Sequence, residues 1–289
     1  MSAQRQALRN AIDASQRDGP VFAPLALDAL TARIAEAAGF IAGYVSGGAL
    51  GYSHAVSEAL LTVTELADTT RHVTARSGLS IIVDAGVGFG DAVHVARAVA
   101  DLEATGAAAI EIEDQVAPKR ASHHRGIEHL VSLDEMIGKI RHAVTARTDP
   151  DFLIIARTGA VANESFESAI ERCQAFADAG ADLAMLMPKD PSQWLAAAKQ
   201  IPIPLAAITS LDLHSKSEWQ DLGWSLIIDP FTAQVLSVQV VETAYRRFMT
   251  DGATGTDRSE IMATYRELSA RAGLDEYYAI EDDTTLKED

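Results

Sequence analysis

Several polar residues stand at the ends of short apolar runs in this chain, and their types suit one kind of chemistry. Ser46, Gly47 and Gly48 close one run, Asp84 another, Glu113 and Asp114 a third, Arg157 a fourth and Asp229 the last, with Glu58 in the loop beyond Gly48. Carboxylates brought together from separate elements form an oxygen-rich cage. Such a cage suits a hard divalent cation such as Mg²⁺ (or Mn²⁺), which takes few protein carboxylates and keeps water ligands. Arg157 offers a planar fork for a substrate carboxylate. A cation beside it would polarise a carbonyl and stabilise an enolate. The stretch 115–129, QVAPKRASHHRGIEH, adds Lys119, Arg120, His123, His124, Arg125 and His129. This basic loop can fold over an anionic substrate and exclude water.

Each residue also has a plainer reading. Loop histidines are usually solvated, and an arginine at a strand end often only neutralises carboxylates. Cys173, within AIERCQAFADAG, reads as core rather than nucleophile. Glu111 and Glu113 are expected to alternate, one facing inward and one outward as an ordinary ion-pair partner. SGG at 46–48 can be a simple turn, and FGD at 89–91 reads as a helix start with Gly90 allowing the tight approach.

The elements that must position these residues follow one rhythm. Apolar runs at 21–27, 42–48, 79–86, 107–114, 151–158, 181–188, 204–209 and 224–230 are each followed by a stretch with helical spacing. Runs apolar on both faces read as buried parallel strands. Helices closing on Gly39, Gly78, Gly106 and Gly180 are expected to end in left-handed caps. Ser132 and Glu135 predict a capping box. Eight strand–helix repeats over roughly 20–250 predict an α/β fold, a (β/α)8 TIM barrel, with its active site at the carboxyl ends of the strands. An open doubly wound sheet is the alternative; its dinucleotide-binding form lacks a G-x-G-x-x-G after the first strand. The chain reads as a single domain over 1–289, with 259–281 as an added C-terminal helix and a frayed tail, DDTTLKED.

The chain has 289 residues, 48% of them apolar, and a formal net charge of −17. That composition excludes disorder as the dominant state. The acidic balance argues against nucleic acid or an anionic membrane as partner. One cysteine forms no internal disulfide, which fits a cytoplasmic protein. The first residues lack the apolar core of a signal peptide, and no stretch reads as a membrane span.

YVSGG (44–48), VDAGVGFG (83–90), IEDQVAPKR (112–120), SLDEMIGKIRHAVTARTDPDFLIIART (132–158) and AIERCQAFADAGAD (169–182) together resemble the isocitrate lyase/phosphoenolpyruvate mutase superfamily, and within it the methylisocitrate lyase-like branch. The resemblance implies a barrel with a swapped C-terminal helix, a homotetramer, Mg²⁺, and a small 2-oxo or 2-hydroxy acid passing through an enolate. It implies that Ser46, Gly47 and Gly48 hold substrate oxygens. It gives Asp84 as the direct metal ligand, with Glu113 and Glu58 holding the metal's waters. Lys119 and Arg120 match the start of the mobile catalytic loop, His123 aligns with the loop histidine, and Arg157 matches the substrate-binding arginine.

The chain also departs from the pattern. Gly86 stands where the family carries a second aspartate, Glu58 where it has an aspartate, and Ala121 where the loop has its acid cysteine. Gly159, Met187, Ala207 and Ser210 replace further polar positions. Fewer carboxylates predict weaker metal affinity. A missing general acid typically costs 10²–10⁴-fold, which argues against ordinary isocitrate or methylisocitrate cleavage. The favoured reading is a Mg²⁺-dependent lyase with an altered substrate, by carbon–carbon cleavage or by oxaloacetate-type decarboxylation. In it His123, His124 or Lys119 takes the proton-transfer role. Two alternatives stand beside it: a non-catalytic or regulatory barrel that has lost its metal, and a metal-independent enzyme using the His-rich loop with Asp229.

Overall fold

The computed structural model describes residues 2–126 and 128–285. Its eight strands are β1 (Val21–Pro24), β2 (Ala42–Val45), β3 (Ser80–Asp84), β4 (Ala109–Glu113), β5 (Leu153–Arg157), β6 (Leu183–Met185), β7 (Leu205–Ile208) and β8 (Leu226–Asp229). Helix α1 (Ala3–Asp18) precedes them, and α2 (Ala29–Ala37) follows β1. After β2 come α3 (Gly47–Ser53) and α4 (Val63–Thr74), after β3 α5 (Ala92–Glu103), and after β4 α6 (Leu133–Ala146). After β5 come α7 (Ala160–Asn163) and α8 (Phe166–Asp178), after β6 α9 (Pro191–Gln200), and after β7 α10 (Lys216–Leu222). The chain ends with α11 (Thr232–Asp251), α12 (Arg258–Ala272) and α13 (Asp275–Thr284).

All seven ladders are parallel, in the order β1-β8-β7-β6-β5-β4-β3-β2. A single Leu25–Tyr44 bridge brings β1 back to β2 and closes the ring. This is the expected (β/α)8 barrel. Each observed strand lies inside its apolar run but is shorter than it.

Side chains alternate along a strand with period two, so in a barrel they point by turns into the lumen and out to the helices. Ala42 and Tyr44, Ile82, Ala109, Leu153 and Ile155, Leu183 and Met185, Ala206, and Leu226 and Ile228 fill the lumen. Val45, Val83, Ile110, Ile112, Ile154 and Ala156 pack outward against helices, as Ile227 does on the far side. This alternation also decides which strand-end polar groups can share a site.

The helices start on side-chain caps. Thr62 and Glu65 form a full capping box on α4, and Asp91 caps α5. Ser132 accepts the Glu135 N–H on α6, but the reciprocal bond expected of a box is missing. Gly39, Gly106 and Gly180 have the positive φ expected of left-handed caps, whereas Gly78 does not. At Gly78 the chain is held by its N–H donating to Glu36 Oε1.

Helix α1 was not expected. It inserts Leu8 and Ile12 into the lumen's apolar layer, closing the end of the barrel opposite the strands' carboxyl ends. Arg5 fastens it there: Nε donates to the Ala107 carbonyl at 2.9 Å and Nη1 to Asp149 at 3.1 Å. Glu103 organises the other side of this network by accepting the Thr148 and Asp149 N–H groups.

The chain divides into two compact units, 1–232 and 233–289. The second unit holds most of α11 together with α12 and α13. The single added helix expected over 259–281 is two helices, because Gly273 takes a left-handed conformation, φ 76°, that terminates α12. Of the tail expected to fray, 282–284 are helical and 286–289 lie outside the described residues. Among the described residues no helix is long and apolar enough to cross a membrane.

Removing one partner of a buried ion network leaves the other charges uncompensated. Arg5→Ala is therefore expected to lower stability by about 3 kcal/mol, read from the midpoint of urea unfolding, without moving the residues at the opposite end of the barrel.

Candidate active site

Period-two alternation brings five polar side chains into the open end of the lumen. Tyr44 comes from β2, Asp84 from β3, Glu111 and Glu113 from β4, and Arg157 from β5, each two residues from a lumen position or on one. Glu111 and Glu113 are two apart and therefore share a face. The expected split, one inward and one outward, does not occur. Register completes the grouping: Asp84 lies beside Glu111 across β3–β4, and Glu113 beside Arg157 across β4–β5. Arg157 Nη1 donates to Glu111 Oε1 at 2.9 Å, its Nη2 stands 3.7 Å from Glu113 Oε2, and the Tyr44 hydroxyl donates to Glu111 Oε2 at 2.6 Å.

The same alternation sends two other candidates outward. Asp114 is fully buried behind the site, where Thr158 Oγ1, the Gly159 N–H and Arg172 donate to it. Asp229 accepts the Thr232 N–H and hydroxyl and the Leu211 N–H, so it ties chain segments together at the end of β8. Neither joins the cluster. Cys173 is buried core, and burial pushes its thiol well above the usual range.

Beyond β2, Ser46 is the N-cap of α3 rather than part of a plain turn; its hydroxyl accepts the Ala49 N–H at 3.2 Å. The Gly47 N–H donates to Asp84 Oδ2 at 3.0 Å and the Gly86 N–H to Asp84 Oδ1 at 2.9 Å. Both Asp84 oxygens are thus oriented by backbone. Gly47 packs closely here, since a Cβ there would lie 3.0 Å from Asp84 Oδ2 and 3.6 Å from Glu58 Oε2. Asp84 and Glu58 therefore face the same small space. At Gly48 a Cβ would come within 3.1 Å of Glu58 Oε2.

The loop after β4 folds onto this space. Lys119 forms ion pairs with both Glu58 and Glu113, the latter at 2.6 Å, and the Nε2 of His123 stands 2.7 Å from Glu58 Oε1. His124 Nε2 is 2.9 Å from the Ser57 hydroxyl. Lys119 and Glu58 are each about nine-tenths buried. Arg120 is exposed and contributes its carbonyl to His123 Nδ1, so its guanidinium is outside the cluster. Arg125 and His129 are exposed as well. A cavity of about 200 Å³ remains beneath the loop, lined by Gly47, Glu58, Asp84, Gly86, Phe89 and Lys119 among others.

Charge is distributed unevenly within the cluster. Burial raises the Asp84 carboxyl, and the carboxylates of Glu111 and Glu58 raise it further, to about 7. Burial also works against Glu58, but the His123 hydrogen bond and the Lys119 ammonium bring it down to about 2. Glu113 is likewise held low against burial by Lys119 and Arg157. Lys119 is desolvated, yet Glu113 and Glu58 raise it above the ordinary lysine range. The hydrogen bond to Glu58 raises His123, while burial and His123 lower His124. Burial, Asp84 and Glu111 keep the Tyr44 phenol protonated.

Asp84, Glu58 and Glu113 supply hard oxygen donors of the kind a small divalent cation takes. Glu113 Oε1 is buried and accepts no aligned hydrogen bond. The donor chemistry therefore fits such an ion. The placement differs from expectation in one respect. The carboxylates gather on the Lys119 ammonium, and among the described residues no three Asp, Glu, His or Cys side chains already stand as a ligand set. Tyr44 and the inward Glu111 were not among the expected site residues. Strand parity carried the signal for both, since Tyr44 is two residues before Ser46 and Glu111 two before Glu113.

An acid whose folded-state pKa is raised contributes stability that is complete below its unfolded value and is lost as pH rises through its folded one. For Asp84 that window runs from 3.8 to about 7. In chelator, Asp84→Asn is therefore expected to stabilise the protein more at about pH 8 than at about pH 5. The difference should be about 2 kcal/mol, measured by urea unfolding at the two pH values.

Comparisons with known proteins give the family of this barrel. The family model for phosphoenolpyruvate phosphomutase matches residues 12–248. A 2-methylisocitrate lyase of Aeropyrum pernix is 37% identical over 265 residues, covering 89% of this chain and 84% of its own. A 2,3-dimethylmalate lyase of Eubacterium barkeri is 34% identical, covering 90% of this chain and 92% of its own. Among solved structures, phosphonopyruvate hydrolase in complex with oxalate and Mg²⁺ superimposes with a TM-score of 0.84 at 32% identity, covering 99% of this chain and all of the other. Oxaloacetate acetylhydrolase in complex with 3,3-difluorooxalacetate gives 0.89 at 26% identity, covering 99% of both chains. With its barrel, its lumen carboxylates and this extent of similarity, the chain belongs to the phosphoenolpyruvate phosphomutase family of the isocitrate lyase/phosphoenolpyruvate mutase superfamily.

Proposed function

We propose that the protein is a divalent-cation-dependent lyase acting on a small 2-oxo or 2-hydroxy carboxylic acid through an enolate, by carbon–carbon cleavage or by decarboxylation of an oxaloacetate-type acid. The observation that carries this reading is the shared cavity of Asp84 and Glu58 at the carboxyl ends of the strands, with Glu113 and Arg157 beside it. Its volume of about 200 Å³ compares with roughly 30 Å³ per liquid water, which suits a small acid and little more. Relatives named for methylisocitrate, dimethylmalate, phosphonopyruvate and oxaloacetate support the same substrate class.

Asp84 would hold Mg²⁺ or Mn²⁺, with Glu58 and Glu113 on its waters. When bound, the cation would supply a Lewis acid that steadies developing negative charge on the substrate oxygen. The protein's own groups account for the rest. Arg157, held by Glu111 and Glu113, presents a fixed guanidinium to a substrate carboxylate. Ser46 accepts from Ala49 and so keeps its own proton to donate to a substrate oxygen. His123, paired with Glu58, is placed to move a proton in the role that Ala121 cannot fill. The folded loop would limit the access of water to the cavity.

The proposed assembly is a homotetramer in which the C-terminal unit packs on another copy. Val238, Tyr245, Phe248, Ile261 and Tyr265 are exposed along that unit. The barrel unit carries a separate groove of about 660 Å³ lined by Phe22, Phe40, Ile41 and Leu211. Exposed apolar side chains on each unit fit an interface between chains.

Two other readings have specific support. The Lys119 ammonium among the carboxylates suits a barrel that has given up metal-dependent turnover. The His123–Glu58 pair suits metal-independent acid–base work, although Asp229, expected to share in it, is occupied by its caps.

Assays with Mg²⁺ or Mn²⁺ on oxaloacetate, methylisocitrate and dimethylmalate separate the three. The proposal expects turnover of at least one acid, lost in chelator and in Asp84→Ala, with kcat/KM falling roughly 100-fold or more in Arg157→Ala. No turnover above the Asp84→Ala control would favour the non-catalytic barrel. Activity that survives chelator and disappears in His123→Ala would favour the metal-independent one. Sedimentation should show four chains for the parent and smaller species for Phe248→Asp.

A further inference from the structure

Lys119 occupies an unusual position. Its ammonium lies between Glu58, from the segment after α3, and Glu113, from the end of β4, and it also lines the cavity onto which Asp84 faces. These are the three carboxylates whose chemistry suits a divalent cation. The lumen cluster holds four carboxylates, Glu58, Asp84, Glu111 and Glu113. Arg157 is committed to the Glu111 and Glu113 side, and Lys119 bridges Glu58 and Glu113 at the edge of the space that Asp84 faces. The cation's waters and the ammonium would compete for the same Glu58 and Glu113 oxygens, and two cations this close in so buried a place would repel each other strongly.

We infer that Lys119 is the resident counter-ion of this carboxylate cage, and that a divalent cation enters only by displacing its ammonium. This rests on the cation-dependent reading above and adds a determinant of affinity to it. Lys119 sets how tightly the site holds its metal, and metal entry is coupled to the position of the loop after β4. When the cation's waters take Glu58 and Glu113, the loop loses both Lys119 pairs, and His123 loses its anchor on Glu58. The tie of His124 to Ser57 remains, so the loop loosens at its first half. Arg120 and Arg125 are already exposed, and with the loop loosened its backbone enters a protease cleft more readily.

The test is Mn²⁺ binding by the full-length protein, followed by calorimetry and by electron paramagnetic resonance of the ion. Lys119→Met should bind Mn²⁺ about tenfold or more tightly than the parent, and Lys119→Arg should remain close to the parent. Arg120→Met removes a charge from the same loop but outside the cage, so it should shift affinity by no more than about twofold. In the unmodified protein, Mn²⁺ alone should speed tryptic cleavage after Arg120. That measurement holds whether or not a variant folds.

Parent binding with Lys119→Met equal or weaker would overturn the inference and leave the cation-dependent reading standing. An equal gain in Arg120→Met would overturn it too, by reducing the effect to net charge. Binding by Lys119→Met alone would uphold the inference and remove metal dependence from the parent. No binding by either would overturn both.

Discussion

The balance of charge inside the barrel mouth governs the rest of this structure. Four carboxylates converge in one buried space, where desolvation favours the neutral form of an acid. Lys119 counters that for Glu58 and Glu113, together with His123 at the first and Arg157 at the second. The two Glu111 oxygens are held by a guanidinium and a phenol. Asp84 is the exception: it has backbone N–H groups but no cation of its own, and its proton affinity rises accordingly. A buried cluster of this kind is a weak source of stability.

The two ends of the barrel solve opposite problems with similar residues. At the closed end, Arg5 and Glu103 bond largely to backbone, and α1 adds Leu8 and Ile12 to the lumen's apolar layer, so the charges there are fixed and sealed. At the open end the charges meet one another across a cavity. Conserving a scaffold and doing chemistry are thus separated along the barrel axis, as the architecture allows.

Much of this was legible in the sequence. The eight apolar runs marked the strands because parallel strands are buried on both faces, and the polar residue ending each run marked the mouth. What a list of strand ends does not contain is direction. Asp114 and Asp229 end their runs as plainly as Glu113 does, yet parity turns them outward into caps and latches. The same rule, applied to Glu111, would have placed it inward beside Glu113. Other features depend on tertiary contacts that local pattern does not encode. Nothing in AQRQALRNAIDASQRD says that α1 plugs a lumen, and the loop basicity did not reveal that Lys119 and His123 turn inward while Arg120 remains in solvent. The Ser132–Glu135 spacing predicted a reciprocal box, but spacing fixes only which groups are near, not which rotamer the glutamate adopts.

The stem of the loop after β4 is stitched. Val116 donates to the His129 carbonyl and Val131 to that of Asp114, and Gln115 and Leu130 form an antiparallel bridge. The excursion that carries Lys119 and His123 is therefore a flap with a fastened base, anchored through Asp114 to Arg172 on α8. Its two ends are already held together, so rearranging it incurs no fresh loop-closure entropy. Substitutions within the flap can retune its grip while the eight-strand ladder beneath keeps its register, which makes this the part of the molecule where specificity can change with least structural consequence.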